Sequence, residues 1–286
     1  MEKAYAKLNL TLDVVGKRPD GYHLLDTIFH SISLCDELAV MPGPKGIAID
    51  CCPSVGGINI AQKAAELFFQ AAGLTPGCYI RMRKGIPMEA GLGGGSADGA
   101  AVLRQLNELH GHPLSKDALR ALALSLGADL PFALLGGHCR GTGVGENLIP
   151  LPLHAPLHFV LMKPQAGLST AAIFEKLDIN ALQNRPDTQA AIDALAEGKL
   201  SAFAAAGGNV LQPVAQNLCP DILRLCEDLL QAGALYAAMT GSGSTVFGLF
   251  AQAPCAQAAA GTLQNKAPFV QYACSAPSQP SPSRPS

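Results

Sequence analysis

The 286-residue sequence has no tryptophan, and only 5% of its residues are aromatic. A chain so poor in flat rings is badly equipped to stack a run of nucleic-acid bases. Charge is scarce as well. Asp, Glu, Lys and Arg make up 15% of the residues, and 20 basic against 22 acidic side chains leave a formal net charge of −2. That balance carries no electrostatic footprint for nucleic acid or for a membrane surface. Apolar residues, at 49%, are enough to bury a core, which excludes a mainly disordered chain.

Other absences narrow the field. The nine cysteines include no CxxC pair, and an odd count in a chain of this length predicts buried, reduced thiols in a cytoplasmic protein, not a disulfide or zinc framework. His110, His112, His138, His154 and His158 show no metal spacing with a Cys or an acid, so no metal ligands are assigned. Met1 to Tyr5 lacks the apolar stretch of a signal peptide. Leu229 to Asn265 is uncharged, yet Gln231, Gly233, Gly241 and Pro254 interrupt it too often for a membrane span. Pro150, Pro152 and Pro156 cluster where a boundary would fall, giving expected domains at 1–152 and 153–275. The Pro/Ser-rich stretch 276–286 is expected to be a disordered tail.

What is present is patterned. Leu8, Leu10, Leu12 and Val14 alternate with Lys7, Asn9, Thr11 and Asp13, which predicts a half-buried strand. Gly16 to Gly21 is turn chemistry, followed by Tyr22 and His23. Alternation from Ile28 predicts a second strand and a third through Val40. Asn59 caps a helix with Ile60, Ala64, Leu67 and Ala71 in its stripe, and Cys78 to Arg83 is a strand. Helices follow from about Ser96 and after Ser115, with a glycine-marked loop at Gly141, Gly143 and Gly145. Further on, strands are expected at 158–162, 234–239, 246–250 and 269–274. Helices are expected at 169–177, 188–195, 220–231 and 256–263.

The centre of the chemistry is Pro87, Met88, Glu89, Ala90, Gly91, Leu92, Gly93, Gly94, Gly95, Ser96 and Ala97. Glycines let backbone N–H groups turn inward, and a helix opening directly behind adds its unpaired N–H groups and dipole. Strand, glycine loop and helix N-terminus together make an anion trap, most simply for phosphate. Walker A, a complete dinucleotide fingerprint and the protein-kinase signatures are all missing. Thr240-Gly241-Ser242-Gly243-Ser244 is a second glycine-rich turn that admits close backbone approach.

Pro87 to Ser96 resembles the central ATP loop of the GHMP kinases. Thr240 to Phe247 resembles that family's C-terminal motif. Ala6 to Leu10 with Gly16 to His23 resembles the N-terminal motif of the branch that phosphorylates the 2-hydroxyl of CDP-methylerythritol in isoprenoid biosynthesis. The resemblance runs in family order over nearly the whole chain. It implies an α+β, two-domain fold: a ribosomal-protein-S5-domain-2-like ATP domain, a C-terminal α/β sandwich and an active site in the cleft. It implies ATP as co-substrate with Mg²⁺, a monomer or homodimer, and a small-molecule substrate with no nucleic-acid or membrane partner. Asp129 would take the hydroxyl proton, and Lys7 would pair with it and help neutralise the transferring phosphoryl group. Tyr22, His23 and Phe174 would hold the cytosine. Asn9, Thr170, Gly241 and Ser242 would contact the rest of the substrate, and Asn59 and Lys84 would lie near the adenine. On residue type alone Lys7 reads as an exposed strand lysine, Asp129 as a turn former and Phe174 as a core ring. Glu89 is an acid at the edge of a phosphate loop, expected to point outward. Two other functions stay open at this level: another GHMP small-molecule kinase, of homoserine or mevalonate type, or a nucleotide-binding sensor without catalysis.

Overall fold

The alternation beginning at Ala4 does form a strand, and a longer one than the leucines mark, in a computed structural model that describes residues 1–53 and 59–276. The expected disordered tail, from Pro277 on, lies outside the described residues. Strand β1 (Glu2–Lys17) pairs antiparallel with β2 (His23–Pro42). The turn between them closes as its Pro-Asp-Gly chemistry demands, with Arg18 N donating to Tyr22 O at 2.7 Å. β2 is one strand of 20 residues where two were expected. It stays unbroken because β5 (His138–Gly143) pairs with its first half and β4 (Gly77–Arg83) with its second. Asp36, in the polar gap, is fully buried with its carboxylate in use.

The remaining elements in chain order are β3 (Gly46–Cys52), α1 (Ile60–Ala72), α2 (Gly94–Leu109), α3 (Lys116–Leu126), α4 (Leu130–Leu135), β6 (Asn147–Pro150), β7 (His158–Lys163), α5 (Thr170–Glu175), α6 (Thr188–Ala196), α7 (Leu200–Ala206), α8 (Gln212–Leu218), α9 (Asp221–Gln231), β8 (Tyr236–Met239), β9 (Val246–Phe250), α10 (Ala253–Leu263) and β10 (Phe269–Cys274). Asn59 caps α1 as expected, accepting from Ala61 N at 2.9 Å. The buried stripe of α1 runs through Ala61, Ala64, Ala65, Phe68 and Phe69, one position off the expected one, because both phenylalanines turn into the core. The expected loop over Gly141 to Gly145 is the hairpin β5–β6 instead. Gly141 is there for space: a Cβ would lie 2.5 Å from the Phe29 ring. α4, α7 and α8 were not foreseen, being short runs of six or seven residues without side-chain caps.

Among the described residues the strands form two sheets. One has six strands, β3-β4-β2-β5-β6 with β1 on the far edge of β2, and the other four, β10-β7-β9-β8. In the second sheet both faces are apolar, as its continuous apolar runs require, because helices cover each side. Phe159, Leu161, Phe247 and Leu249 pack with α6 and α7 residues such as Ile192 and Phe203. Val160, Met162, Val246 and Phe250 pack with Ile222, Leu225, Leu229 and Leu263 of α9 and α10. The first of these clusters also takes in Ile28 and Ile32 of β2, so one core touches both sheets.

β1 departs most from expectation. Its polar face is not solvated: Lys7, Asn9, Thr11 and Asp13 are all buried. The reason is its outer edge, where backbone groups without a neighbouring strand are met by loops. Lys7 N donates to Leu92 O (3.0 Å), Leu12 N to Gly208 O (2.8 Å), and Val210 N to Leu12 O (3.0 Å). The pairing with β2 skips between Tyr5 and Lys7 and again between Asn9 and Thr11, two irregularities that bracket Lys7 and Asn9.

A buried histidine pair joins the sheets. His30 Nδ1 lies 3.2 Å from His138 Nδ1, and His30 Nε2 lies 2.8 Å from Ser275 Oγ at the end of β10. Burial, with His138 second, pushes His30 down to about 3, and burial pushes His138 down to about 4. Unfolded, each returns to about 6.5, so the unfolded chain binds more protons as pH falls below that value. Stability present above pH 6.5 is therefore lost on acidification towards the folded values. At pH 5 the pair should cost about 4 kcal/mol relative to neutral pH. Urea midpoints at pH 7 and pH 5 check this, and His138→Gln should remove about half of the difference. An equal pH response in parent and variant would assign the acid lability to other groups.

Candidate active site

The site is built on the edge of β1. Thr27 Oγ1 donates to Thr11 O at 2.5 Å, which leaves its oxygen to accept from the Asn9 amide nitrogen at 2.8 Å. That fixes the Asn9 carboxamide, and its oxygen accepts from Lys7 Nζ at 2.6 Å. Lys7, also 5.7 Å from the centre of the Phe29 ring, is thereby aimed at Asp129, with Nζ 3.4 Å from Oδ2. Lys7 is not an exposed lysine: its side chain is 9% exposed, against 36% for Asp129. Nor is Asp129 a turn former using its side chain locally. It stands at the N-terminus of α4 and makes no side-chain cap there, so its carboxylate is left to the cleft.

The phosphate loop arrives from β4 and ends in α2, whose N-cap is Gly93 and whose first residue is Gly94, two positions before the expected start. Asp36 holds its entrance, accepting from Gly85 N (2.6 Å) and Ile86 N (2.9 Å) through Oδ1. The other oxygen takes Lys84 Nζ, which also bonds Asp98 Oδ2 at 2.5 Å. Burial pulls the Lys84 pKa down, but the Asp98 and Asp36 partners outweigh it and the net shift is upward. Burial pushes the Asp98 carboxyl well above the ordinary carboxylate range. The loop is also locked to the second glycine turn. A Cβ on Gly91, whose φ is +71°, would lie 2.4 Å from Thr240 O, and Thr245 N donates to Ala90 O. Thr240 Oγ1 accepts from Asn9 N at 2.9 Å, bringing that turn onto β1.

These elements enclose a cleft of about 410 Å³. Lys7, Asn9, Asn59, Lys84, every residue from Pro87 to Ser96, Asp129, Thr170, Phe174, Gly241 and Ser242 line it. Ala97 does not reach it, being buried within α2. Lys84 lines the wall, with its ammonium engaged by two carboxylates. Glu89 is exposed, at φ +50°, and its carboxylate lies over Gly167, where a Cβ would come within 2.4 Å of it. A second cavity of about 610 Å³ adjoins the first along Ser96, Asp129, Thr170 and Phe174, and its far wall is Asp20 to His23. His23 and Phe174 stack on each other there, with ring centres 4.9 Å apart, and Tyr22 is 63% exposed beside them. Burial, and then the Lys17 charge, lower the His23 pKa, which favours the neutral ring. Thr170 and Ser242 bridge the mouth through their hydroxyls at 2.7 Å. Thr27 and Asp36 were not singled out beforehand, and Thr240 entered only as the first residue of the second glycine-rich turn. A buried acid inside an apolar strand was the available signal for Asp36.

A phosphate loop at the start of a helix, a Lys–Asp pair at its mouth and a second glycine turn closing on both define a small-molecule kinase cleft. The comparisons agree. The sequence matches the GHMP kinases N terminal domain over residues 59–137 and the GHMP kinases C terminal domain over residues 191–268. It is 44% identical over 252 residues to the 4-diphosphocytidyl-2-C-methyl-D-erythritol kinase of Pelotomaculum thermopropionicum, covering 87% of this chain and 88% of that one. It is 42% identical to the enzyme of the same name from Desulfitobacterium hafniense, covering 86% and 85%. A crystal structure of 4-(cytidine 5′-diphospho)-2C-methyl-D-erythritol kinase superposes with a TM-score of 0.84 at 35% identity, over 96% of this chain and 99% of that one. The homoserine kinase of Cytophaga hutchinsonii shares the fold, with a TM-score of 0.71 at 18% identity. The chain belongs to the GHMP kinases and, among them, to the 4-diphosphocytidyl-2-C-methyl-D-erythritol kinase family. Among the described residues no helix is long and apolar enough to cross a membrane.

Proposed function

We propose that this chain transfers the γ-phosphoryl group of ATP to the 2-hydroxyl of 4-diphosphocytidyl-2-C-methyl-D-erythritol, in the cytoplasm and without a nucleic-acid or membrane partner. One observation carries the reading furthest: two joined cavities meet at the Lys7–Asp129 pair, one floored by the phosphate loop and the other walled by rings. The first suits a nucleoside triphosphate. The second is large enough for a pyrimidine against the exposed ring of Tyr22 and the Phe174–His23 stack, and the His23 ring nitrogens offer polar atoms to a base edge.

Phosphoryl transfer asks the protein mainly for positioning and charge stabilisation. The acceptor hydroxyl would sit between the cavities, where Asp129 receives its proton. Lys7, held by Asn9, would supply positive charge where the transferring group passes. Backbone N–H groups from Gly91 to Ser96 and the start of α2 would receive the phosphates. Among the described residues no cluster of three His, Cys, Asp or Glu side chains could hold a metal ion. Mg²⁺ arriving on ATP would be satisfied largely by phosphate oxygens and water, and the Ser96 hydroxyl, which lines the cleft at the phosphate loop, would be the protein oxygen offered to it. Bound there, Mg²⁺ would neutralise phosphate charge.

The test is ADP release with ATP and Mg²⁺, comparing the cytidylated alcohol with methylerythritol phosphate, homoserine and mevalonate. Turnover confined to the cytidylated compound is expected, and turnover confined to another alcohol would overturn the assignment. Phe174→Ala should raise the KM for the cytidylated substrate about 10-fold or more and leave the KM for ATP within a factor of two, since one stacked ring is worth about 1–3 kcal/mol. An unchanged substrate KM would remove Phe174 from the base pocket.

A further inference from the structure

We propose that Asn209 is a positioning residue for the phosphoryl acceptor, holding the Gly241 carbonyl and so the turn that backs Lys7 and Asn9. The inference rests on the kinase reading and adds a residue that touches neither nucleotide nor alcohol. Asn209 lies in the loop before α8 and is buried. Its amide nitrogen donates to Met239 O and to Gly241 O, both at 2.8 Å. Its oxygen accepts from Leu211 N at 2.9 Å. Two carbonyls on one side and an N–H on the other leave a single chemically sensible orientation, so the carboxamide is fully used.

The backbone around the same residue is tied to β1. Leu12 bonds the chain on both sides of Asn209, taking Gly208 O with its N–H and giving its carbonyl to Val210 N. Asn209 therefore couples the strand of Lys7 and Asn9 to the turn of Gly241. At Gly241 there is little slack. A Cβ built there would lie 3.1 Å from Gly91 O, 3.2 Å from Lys7 Nζ and 3.3 Å from Asn9 Oδ1. A shift of this turn by a fraction of an ångström is passed directly to the ammonium and carboxamide that face Asp129. The next residue, Ser242, reaches Thr170 across the cleft mouth, so the same shift also moves the acceptor side. Misplacing reacting groups by about 1 Å costs on the order of 100-fold in rate.

Asn209→Asp keeps the shape and the acceptor for Leu211 N but puts an oxygen against two carbonyls. It is expected to lower kcat about 10–100-fold, with the KM for ATP within about threefold. Gln212→Leu is the control: it removes the bond from Met239 N to Gln212 Oε1 at the same strand end and does not touch Gly241. It should cost stability and leave kcat within twofold. Asn209→Ser, which adds no charge, repeats the measurement if Asn209→Asp does not fold, and circular dichroism establishes folding for each. Folded Asn209 variants with parental kcat would overturn the proposal. So would a kcat loss that Gln212→Leu shares at equal stability, or failure of both Asn209 variants to fold, which would make the residue one of the fold alone. Absence of turnover in the parent with the cytidylated alcohol would count against the kinase reading instead.

Discussion

Asp129→Asn is expected to lower kcat about 10³-fold while ATP still binds. The substitution keeps shape and volume, and the amide oxygen can still accept from Lys7 across the 3.4 Å that separates the pair. What it removes is the place for the acceptor's proton and the negative charge facing the ammonium. Asp129 makes no cap for α4, so the helix start does not depend on its carboxylate. The loss should therefore appear in turnover and not in the thermal midpoint. Single-turnover phosphoryl transfer and a nucleotide titration separate the two. A kcat within fivefold of the parent would show that the proton leaves by another route and that Asp129 serves binding only.

The second large effect is on stability. Lys84→Met should lower Tm by on the order of 10 °C, reflecting a loss of about 3–5 kcal/mol. Lys84 is the ammonium between two carboxylates, and the side chains of Asp36 and Asp98 are 0% and 6% exposed. Without it, two buried acids face each other with no cation between them. Burial already raises the Asp98 carboxyl above its unfolded value, and loss of the ammonium that counters this raises it further, so the penalty is full at neutral pH and shrinks as pH falls through the folded value. The deficit of Lys84→Met should accordingly be smaller at pH 5 than at pH 7, the opposite trend to that set by His30 and His138. Differential scanning at the two pH values tests both parts. A deficit that does not change with pH would mean that lost packing of the lysine stem dominates. Since Asp36 also holds the amides of Gly85 and Ile86, the KM for ATP should rise in the same variant.

Much of this was legible in the sequence because the relevant residues act locally. The cap of Asn59, the turn before Tyr22 and the glycine loop running into a helix are each determined by neighbours within a few positions. The strands of the second sheet were recoverable because short continuous apolar runs between turn residues are buried on both faces there. Expectation failed where distant segments decide. β1 reads as half-buried because no neighbour in sequence reveals that Leu92, Gly208 and Thr240 come to lie on its edge. β2 reads as two strands in the sequence, and only Lys84 and the loop amides explain an acid buried within a single one at Asp36. Lys7 and Asp129 were found by resemblance. Residue type alone gives their aspartate and lysine no special standing, and 122 positions separate them.

The way β1 is closed bears on how the chain is made. Beyond Lys7, whose N–H is met by Leu92, its outer edge is satisfied by segments that leave the ribosome late, Asn9 being 231 residues from the Thr240 hydroxyl that accepts its N–H. While most of the polypeptide is synthesised, a leucine-rich strand already paired with β2 would present an unmatched row of N–H and C=O groups. Such an edge invites pairing with another nascent chain, and contacts of this sequence separation form slowly. The segments that complete the catalytic cleft are thus the ones that protect the strand, so acquiring activity and losing the tendency to aggregate are a single late event in the life of the molecule.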